Sequence, residues 1–308
     1  MGALKARHLA TRAGEIRFPQ YIPVTTYGKK YPLDELVRPF LPRLAGAVMV
    51  SHHYARQANS HPGVPLLVDS GGFASLFGWA KVEQEGDLGV IRIGESEGTG
   101  GEQITPSSVL EFQEKAADVA FTLDFPIPDH LAETEGPLRQ KLTIHNALWA
   151  LRNRRRRDLP LYACVQGWDR ESFVRCARAY VGAGFEGIAI GGLVPRARDH
   201  ALITDVVREI RALFPEQPLH AFGIGQPPLV RELFTLGLDS VDSSAYVKMA
   251  ADGRSLGSSQ LLTSGDLSPL QRMHLAIANL AMASQRALPL GFAPIVYGTM
   301  QTSRRAET

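Results

Sequence analysis

Short apolar runs recur along the chain, and each stops abruptly at a carboxylate, a carboxamide or glycines. Leu66-Leu67-Val68 ends at Asp69-Ser70-Gly71-Gly72-Phe73. Such a run reads as a buried strand that delivers its C-terminal end into a cleft, where glycines let backbone approach a ligand closely. The same layout appears at Gly46 to Ser51, ending in Ser51-His52-His53-Tyr54, and at Val119 to Asp124. It returns at Leu161 to Val165 before Gln166-Gly167, at Gly187 to Ile190 before Gly191-Gly192-Leu193, at Leu219 to Phe222 before Gly223-Ile224-Gly225, and at Ser240-Val241 before Asp242-Ser243-Ser244.

Helical patterns fill the gaps. One covers 33–38, stopped by Pro39; another starts at Thr105 as N-cap with Pro106 at the first helical position and runs to about Ala117. Others span much of 131–157, then about 171–181, 199–213, 228–236 and 268–287. Strands alternating with helices on short links mean βαβ units and a parallel sheet. Seven or so such units fit a closed α/β barrel of the (β/α)8 type better than an open sheet. Before the first unit, residues 4–27 alternate at Glu15-Ile16-Arg17-Phe18 and are interrupted by Pro19 and Pro23, as in a small N-terminal hairpin or barrel-bottom cap. Residues 74–103 are rich in Gly and Glu with one strand-like piece at Val90 to Ile93, an insertion after the second strand in the form of a hairpin or lid. The expectation is one barrel domain over 1–308 with a C-terminal helical segment at about 266–287.

Composition changes this picture little. Of 308 residues, 44% are hydrophobic and 21% charged, as in a globular protein with a sizeable core. A net charge of +2 permits a nucleic-acid partner only if basic residues gather on one face. Two cysteines, Cys164 and Cys176, exclude a disulfide framework and a Cys-rich metal site. No apolar run reaches the roughly 18 residues of a membrane span, and residues 1–20 lack the apolar core of a signal peptide. A cytoplasmic protein without a membrane partner is expected.

Candidate chemistry follows from the strand ends. Asp69, Asp124, Gln166, Gly191-Gly192, Gly223 and Asp242 close different strands, and a barrel gathers those ends at one mouth. Singly, each acid also reads as a helix N-cap or surface turn; together they make a site for a small polar heterocycle. Arg152, Arg154, Arg155, Arg156 and Arg157 close a helix and are a candidate phosphate-binding patch, with a solvated helix end as the alternative. His52, His53 and His61 have no further ligands spaced to complete a metal site.

These residues carry a resemblance. Asp69-Ser70-Gly71-Gly72-Phe73 resembles the signature of the tRNA-guanine transglycosylases, barrel enzymes that swap guanine in a nucleic acid for a 7-deazaguanine. Ile22-Pro23-Val24-Thr25, Phe121-Thr122-Leu123-Asp124, Val165-Gln166-Gly167 and Ile190-Gly191-Gly192-Leu193 match further family segments in order. Phe222-Gly223-Ile224-Gly225-Gln226-Pro227 and 237–246 look most like the archaeal, archaeosine-forming branch.

The resemblance implies a nucleophile at Asp242, with Asp239 as the rival, and a general acid/base at Asp69. It places base recognition at Ser70, Asp124, Gln166, Gly223 and the backbone of Gly191, Gly192 and Leu193, with Gln166 donating to the purine O6, and it puts Phe73 and Phe222 on the two faces of the base. The implied partners are DNA or tRNA and a free 7-deazaguanine base. Two departures stand out. The tRNA enzymes hold a structural zinc on three Cys and a His, whereas 250–270 has no Cys here and Ala278 stands at the His position. Only about 20 residues follow Ala287, too few for the archaeal RNA-binding domain. No metal or other cofactor is therefore expected, and the chain leans toward the related deoxypurine-in-DNA A proteins, which act on DNA. A tRNA enzyme, a metal-independent barrel hydrolase or lyase, and a non-catalytic nucleic-acid-binding subunit are the alternatives. Pairing with itself or with an accessory protein is left open.

Overall fold

The computed structural model describes residues 7–26, 31–55, 61–94, 102–256 and 267–285. In chain order the strands are β1 (His8–Thr11), β2 (Gly14–Arg17), β3 (Gln20–Pro23), β4 (Val48–Ser51), β5 (Leu66–Asp69), β6 (Ala80–Glu85), β7 (Leu88–Ile93), β8 (Glu102–Ile104), β9 (Val119–Phe121), β10 (Leu161–Val165), β11 (Gly187–Ile190), β12 (Leu219–Ala221) and β13 (Ser240–Ser243). The helices are α1 (Pro32–Val37), α2 (Leu41–Leu44), α3 (His52–Ala55), α4 (Pro106–Ala116), α5 (Gly136–Asn153), α6 (Arg170–Arg178), α7 (His200–Leu213), α8 (Pro227–Thr235), α9 (Ala245–Ala251) and α10 (Pro269–Ala283).

Eight strands form one parallel sheet in the order β3-β13-β12-β11-β10-β9-β5-β4. A parallel bridge between Val24 and Met49 joins its two edges, and Thr25 N–H donates to Met49 O at 2.9 Å across the same seam. The sheet thus closes into the expected (β/α)8 barrel. Closure removes both sheet edges and turns every strand C-terminus toward one mouth.

Two apolar layers hold the barrel. Inside it, Ile22, Met49, Leu67, Val119, Phe121, Tyr162, Cys164 and Ala189 pack together. The β1-β2 hairpin, paired from His8↔Arg17 to Thr11↔Gly14, adds Ile16 to this cluster. Ile16 and the following Phe18 are buried, so the N-terminal segment plugs the barrel interior as its alternation foretold. Outside, the alternate residues of the strands, such as Val68, Ala163, Ile188 and Val241, meet the inner faces of the helices, including Val207 of α7 and Leu233 of α8.

Three elements differ from expectation. The eighth barrel strand is β3, all four residues of which are buried; the prolines at 19 and 23 made it read as part of a cap, yet both stand outside the ladder's demand for N–H donors. The inserted segment is a three-stranded antiparallel sheet, β6-β7-β8. It rests on Val109, Leu123, Phe125 and Leu142 through Ile91 and Ile104. Near Pro39, α1 ends at Val37 and the chain continues as a 3-10 turn into α2. The helix from 105 is capped as expected, with Ser108 N–H donating to Thr105 Oγ1 at 3.1 Å. Parts of the insertion (95–101), of the segment after β13 (257–266) and of the C-terminal helical segment (286–287) lie outside the described residues.

Candidate active site

The turn after β5 builds the first wall. Gly71 takes a left-handed backbone (φ 79°), which lets the chain fold back at once so that its N–H donates to Asp69 Oδ1 at 3.2 Å. Gly72 N–H donates to Ser70 Oγ at 3.1 Å, and the Ser70 hydroxyl donates to Asp124 Oδ1 at 2.7 Å. A Cβ on Gly72 would lie 2.1 Å from the Asp124 carbonyl oxygen. Only glycine allows β5 and β9 to bring their ends so close.

The second wall comes from β10 and β11. Gln166 Nε2 donates to Asp124 Oδ2 at 2.5 Å; a carboxylate accepts only, so this contact fixes which end of the amide faces it. Gln166 Oε1 is buried without a hydrogen-bond partner. A Cβ on Gly191 would meet Gln166 Nε2 at 2.2 Å. Ser70, Asp124 and Gln166 are all buried, so the three form one polar network sunk beneath the mouth, with an acceptor to spare.

The third wall is β13. Asp242 Oδ1 accepts from His220 Nε2 at 3.0 Å and from Gly223 N–H at 3.1 Å. His220, fully buried on β12, has its Nδ1 2.9 Å from Ser240 Oγ. For Nε2 to donate to the carboxylate, a neutral ring carries its proton there and Nδ1 accepts from the serine. Asp242 Oδ2 has no hydrogen bond among the described residues.

Charge separates the carboxylates. Burial, then the nearby Asp124 and, further off, Asp242 push Asp69 up to about 7, against the hydrogen bonds from Gly71 and Ser70. Burial also raises Asp124, while its bonds from Gln166 and Ser70 pull it back. Burial and mutual repulsion therefore disfavour joint ionisation of Asp69 and Asp124.

The remaining expected residues divide. Phe222 lies against Phe121 and His220, with ring centroids 5.1 and 4.9 Å away, in the barrel interior below the mouth. Phe73 stands 60% exposed, edge-on to Phe77 at 6.1 Å. Leu193 is fully buried in the helix-facing core, so only its backbone is offered to the site. Gly192 O accepts from Arg196 NH1 at 2.8 Å, a contact that ties the glycine loop to its own 3-10 turn. Asp239 lies at the opposite, N-terminal end of β13, ion-paired to Arg7 and Arg211 and accepting from Leu219 N–H at 2.8 Å.

The arginine run divides between structural and exposed positions. It sits where α5 hands over to β10, at the strand N-terminal end of the barrel, away from Asp69 and Asp242. Arg154 is buried and bonds Glu186 at 2.7 and 2.8 Å. Arg156 NH1 donates to Glu114 O at 2.7 Å, while Arg152 and Arg155 are exposed. Two of the five arginines read as phosphate contacts, Arg154 and Arg156, thus bond the barrel bottom.

The residues present do not fit the zinc site of the tRNA enzymes. The chain's two cysteines are Cys164 on β10 and Cys176 on α6, both buried in the barrel wall. Among the described residues no cluster of three or more His, Cys, Asp or Glu stands close enough to hold a metal. Next to Ala278, Asn279 of α10 accepts from Leu256 N–H at 2.8 Å and donates to Tyr246 O and Arg254 O, both at 3.1 Å. His61 bonds Asp118 at 2.9 Å, and no helix of the described residues is long and apolar enough to cross a membrane.

Sequence reasoning passed over His220, Ser240 and Gln140. The signal for His220 was there: between Leu219 and Ala221, whose side chains face the helices, a strand residue points into the barrel. Gln140 gave none, since its partners, Gln166 O at 2.7 Å and Ser172 O at 2.9 Å, are remote in sequence.

Comparison with known proteins agrees with this geometry. The family model described as queuine tRNA-ribosyltransferase matches residues 3–286. A tRNA-guanine(15) transglycosylase of Methanococcus aeolicus is 27% identical over 73% of this chain and 35% of its own length. One from Pyrococcus furiosus is 26% identical over 82% of this chain and 43% of its own. A queuine tRNA-ribosyltransferase of Thermosipho africanus is 28% identical over 62% of this chain and 53% of its own. The chain thus spans about a third to a half of the length of these relatives. With the match running from the N-terminal hairpin through α10, the chain belongs to the queuine tRNA-ribosyltransferase family.

Proposed function

We propose that this chain is a base-exchange pentosyltransferase that replaces guanine in a nucleic acid with a 7-deazaguanine. The observation that carries the proposal is the division of labour between two carboxylates at one mouth. Asp242 has one oxygen doubly held and the other without a partner, and Asp69 has its proton affinity raised to about 7. Asp242 Oδ2 attacks C1′ of the target nucleoside and forms an ester bond while the N9–C1′ bond breaks. Asp69 gives its proton to the departing guanine. The incoming base then loses its N9 proton to Asp69, attacks C1′ through N9 and expels the Asp242 carboxylate. A group with a proton affinity near the working pH suits both transfers.

His220 holds Asp242 in line and keeps its Oδ1 engaged, so the attack falls to Oδ2. Base recognition falls to the Ser70-Asp124-Gln166 network and the backbone at Gly191, Gly192 and Gly223. Gln166 has one amide hydrogen committed to Asp124, so it offers a free acceptor as well as its second N–H. A buried acceptor left unbonded costs about 1–3 kcal/mol, and a purine N–H relieves that cost. Phe222 supplies one face of the base clamp and Phe73 closes from the rim.

For the polymer we take DNA as the first reading, on the two-cysteine count that leaves no zinc centre for tRNA docking. The relatives described above, each named for tRNA, favour tRNA as the second. The test is incubation with DNA and, separately, tRNA in the presence of radiolabelled guanine or 7-deazaguanine. Label in one polymer chooses between the readings. Label in neither, with folded protein, rejects base exchange. Asp242→Ala is expected to abolish the denaturation-resistant adduct between protein and nucleic acid, and an adduct that survives places the nucleophile elsewhere.

A further inference from the structure

Outside the barrel mouth, α5 and the start of α6 enclose a groove of about 400 Å³ lined in part by Gln140, Lys141, His145, Trp168 and Arg175. It begins at the rim: Trp168 follows Gln166-Gly167 at the C-terminal end of β10, and its ring lies so close to the first residue of α5 that a Cβ on Gly136 would stand 3.1 Å from it. From there the groove runs down between the two helices.

Three features of this groove point to one ligand chemistry. The Arg175 guanidinium stands over the Trp168 ring, 5.4 Å from its centroid, so a cation and an indole meet in the wall of the groove. Lys141 and Arg175 are both exposed, and neither is ion-paired with a carboxylate among the described residues. Finally, Arg175 Nε donates to Gln140 Oε1 at 3.1 Å, while Gln140 Nε2 donates to Gln166 O at 2.7 Å and to Ser172 O at 2.9 Å. The groove is thus hydrogen-bonded through one side chain to the residue that anchors the base-reading network. Unpaired cations next to an indole match a phosphodiester chain with an unpaired base: the cations take the phosphates and the ring takes a base face. An acidic peptide would use the cations and leave the indole idle.

We propose that this groove carries the strand beside the target nucleotide, with Lys141 and Arg175 on consecutive phosphates and a flanking base stacked on Trp168. The proposal rests on the reading that the substrate is a nucleic acid. It gives the polymer a path over the β10 rim, on the opposite end of the barrel from the arginine run, and it connects strand binding to the position of Gln166 through Gln140.

The test measures binding without turnover. Fluorescently labelled single-stranded 12-mers, one of DNA and one of RNA, are titrated by polarisation at several salt concentrations, and intrinsic tryptophan emission is followed with unlabelled 12-mers. The double variant Lys141→Ala/Arg175→Ala is expected to bind the preferred 12-mer about tenfold more weakly at 0.1 M salt, with the slope of log K against log salt reduced by about 1.4. Lys141→Ala alone, which removes no hydrogen bond of the described structure, should lower the slope by about half that amount. Trp168→Phe should keep binding and lose the part of the emission change that comes from Trp168. Unchanged affinity and slope in the double variant, or an emission change fully retained in Trp168→Phe, overturns the proposal. If no label enters any polymer while these binding differences stand, base exchange fails and the groove survives. If label enters and the variants bind as the parent does, the groove fails and base exchange survives. The two 12-mers distinguish DNA from RNA as the source of the phosphodiester.

Discussion

At the scale of the residue, Asp69 and Asp242 show how neighbours give one chemical group two different environments. Asp242 is anchored at one oxygen by the His220 imidazole and a backbone N–H, which leaves its other oxygen open to the mouth. Asp69 faces two other carboxylates from a partly buried position, and its proton is held up to about 7. Because the folded state binds that proton more tightly than the unfolded chain does, stability is greatest below the ordinary Asp range and declines as pH rises from about 4 through about 7. Asp69→Asn removes the decline. In denaturant titrations the variant is expected to match the parent near pH 4 and exceed it by roughly 1–3 kcal/mol at pH 8, while losing exchange activity. A parent curve flat over this range would mean that Asp69 ionises freely. His220 makes a second prediction. His220→Ala leaves Asp242 without its side-chain donor and should slow adduct formation about 10- to 100-fold, the worth of a hydrogen bond to a charged group. His220→Gln can return an N–H near the position of Nε2 and should recover part of the rate. Equal rates for the two variants would show that volume alone matters at this position.

At the scale of the element, strand ends made the site legible and strand pairing hid the rest. Parallel strands buried on both faces read as unbroken apolar runs, which is why β5, β10 and β11 stood out. The polar residues that follow them were read one by one. Their couplings were not, since Asp124 and Gln166, or His220 and Asp242, meet only after the chain has wound through intervening helices. The charged strand β6, Ala80-Lys81-Val82-Glu83-Gln84-Glu85, was missed because only one of its faces is covered, so its apolar positions are few. β3 was missed because proline at both ends imitates a loop. The Gly191 position tests how tightly two elements must approach. A methyl there would overlap the Gln166 amide, which is itself held by Asp124. Gly191→Ala should leave the melting temperature within a few degrees of the parent, because the amide end can move toward the open mouth. It should also abolish guanine exchange. Retained exchange would show that Gln166 is free to reposition without cost to base recognition.

At the scale of the whole molecule, the barrel separates chemistry at its mouth from cohesion at its base. The base holds the ion pairs Arg7–Asp239, Arg211–Asp239 and Arg154–Glu186, and the mouth holds carboxylates that pair with no Lys or Arg among the described residues. Arg154 belongs to the base, so Arg154→Ala should lower stability by about 1–3 kcal/mol, because it removes a buried donor to Leu159 O and Glu186 while Glu186 itself stays partly solvated. It should leave the salt slope for single-stranded 12-mers unchanged; a lowered slope would return the run to the polymer-binding surface. The closing strands carry a further consequence, one for biosynthesis. β3, the first barrel strand to leave the ribosome, finds its longest partner ladder in β13, with Asp242 opposite Ile22 in the register. Its other edge is joined to β4 at a single bridge. A nascent chain therefore carries Asp69, Asp124 and Gln166 beside an unclosed seam until β13 is made. Asp242 arrives on the strand that shuts the barrel, so completing the fold and adding the third carboxylate of the mouth are a single event.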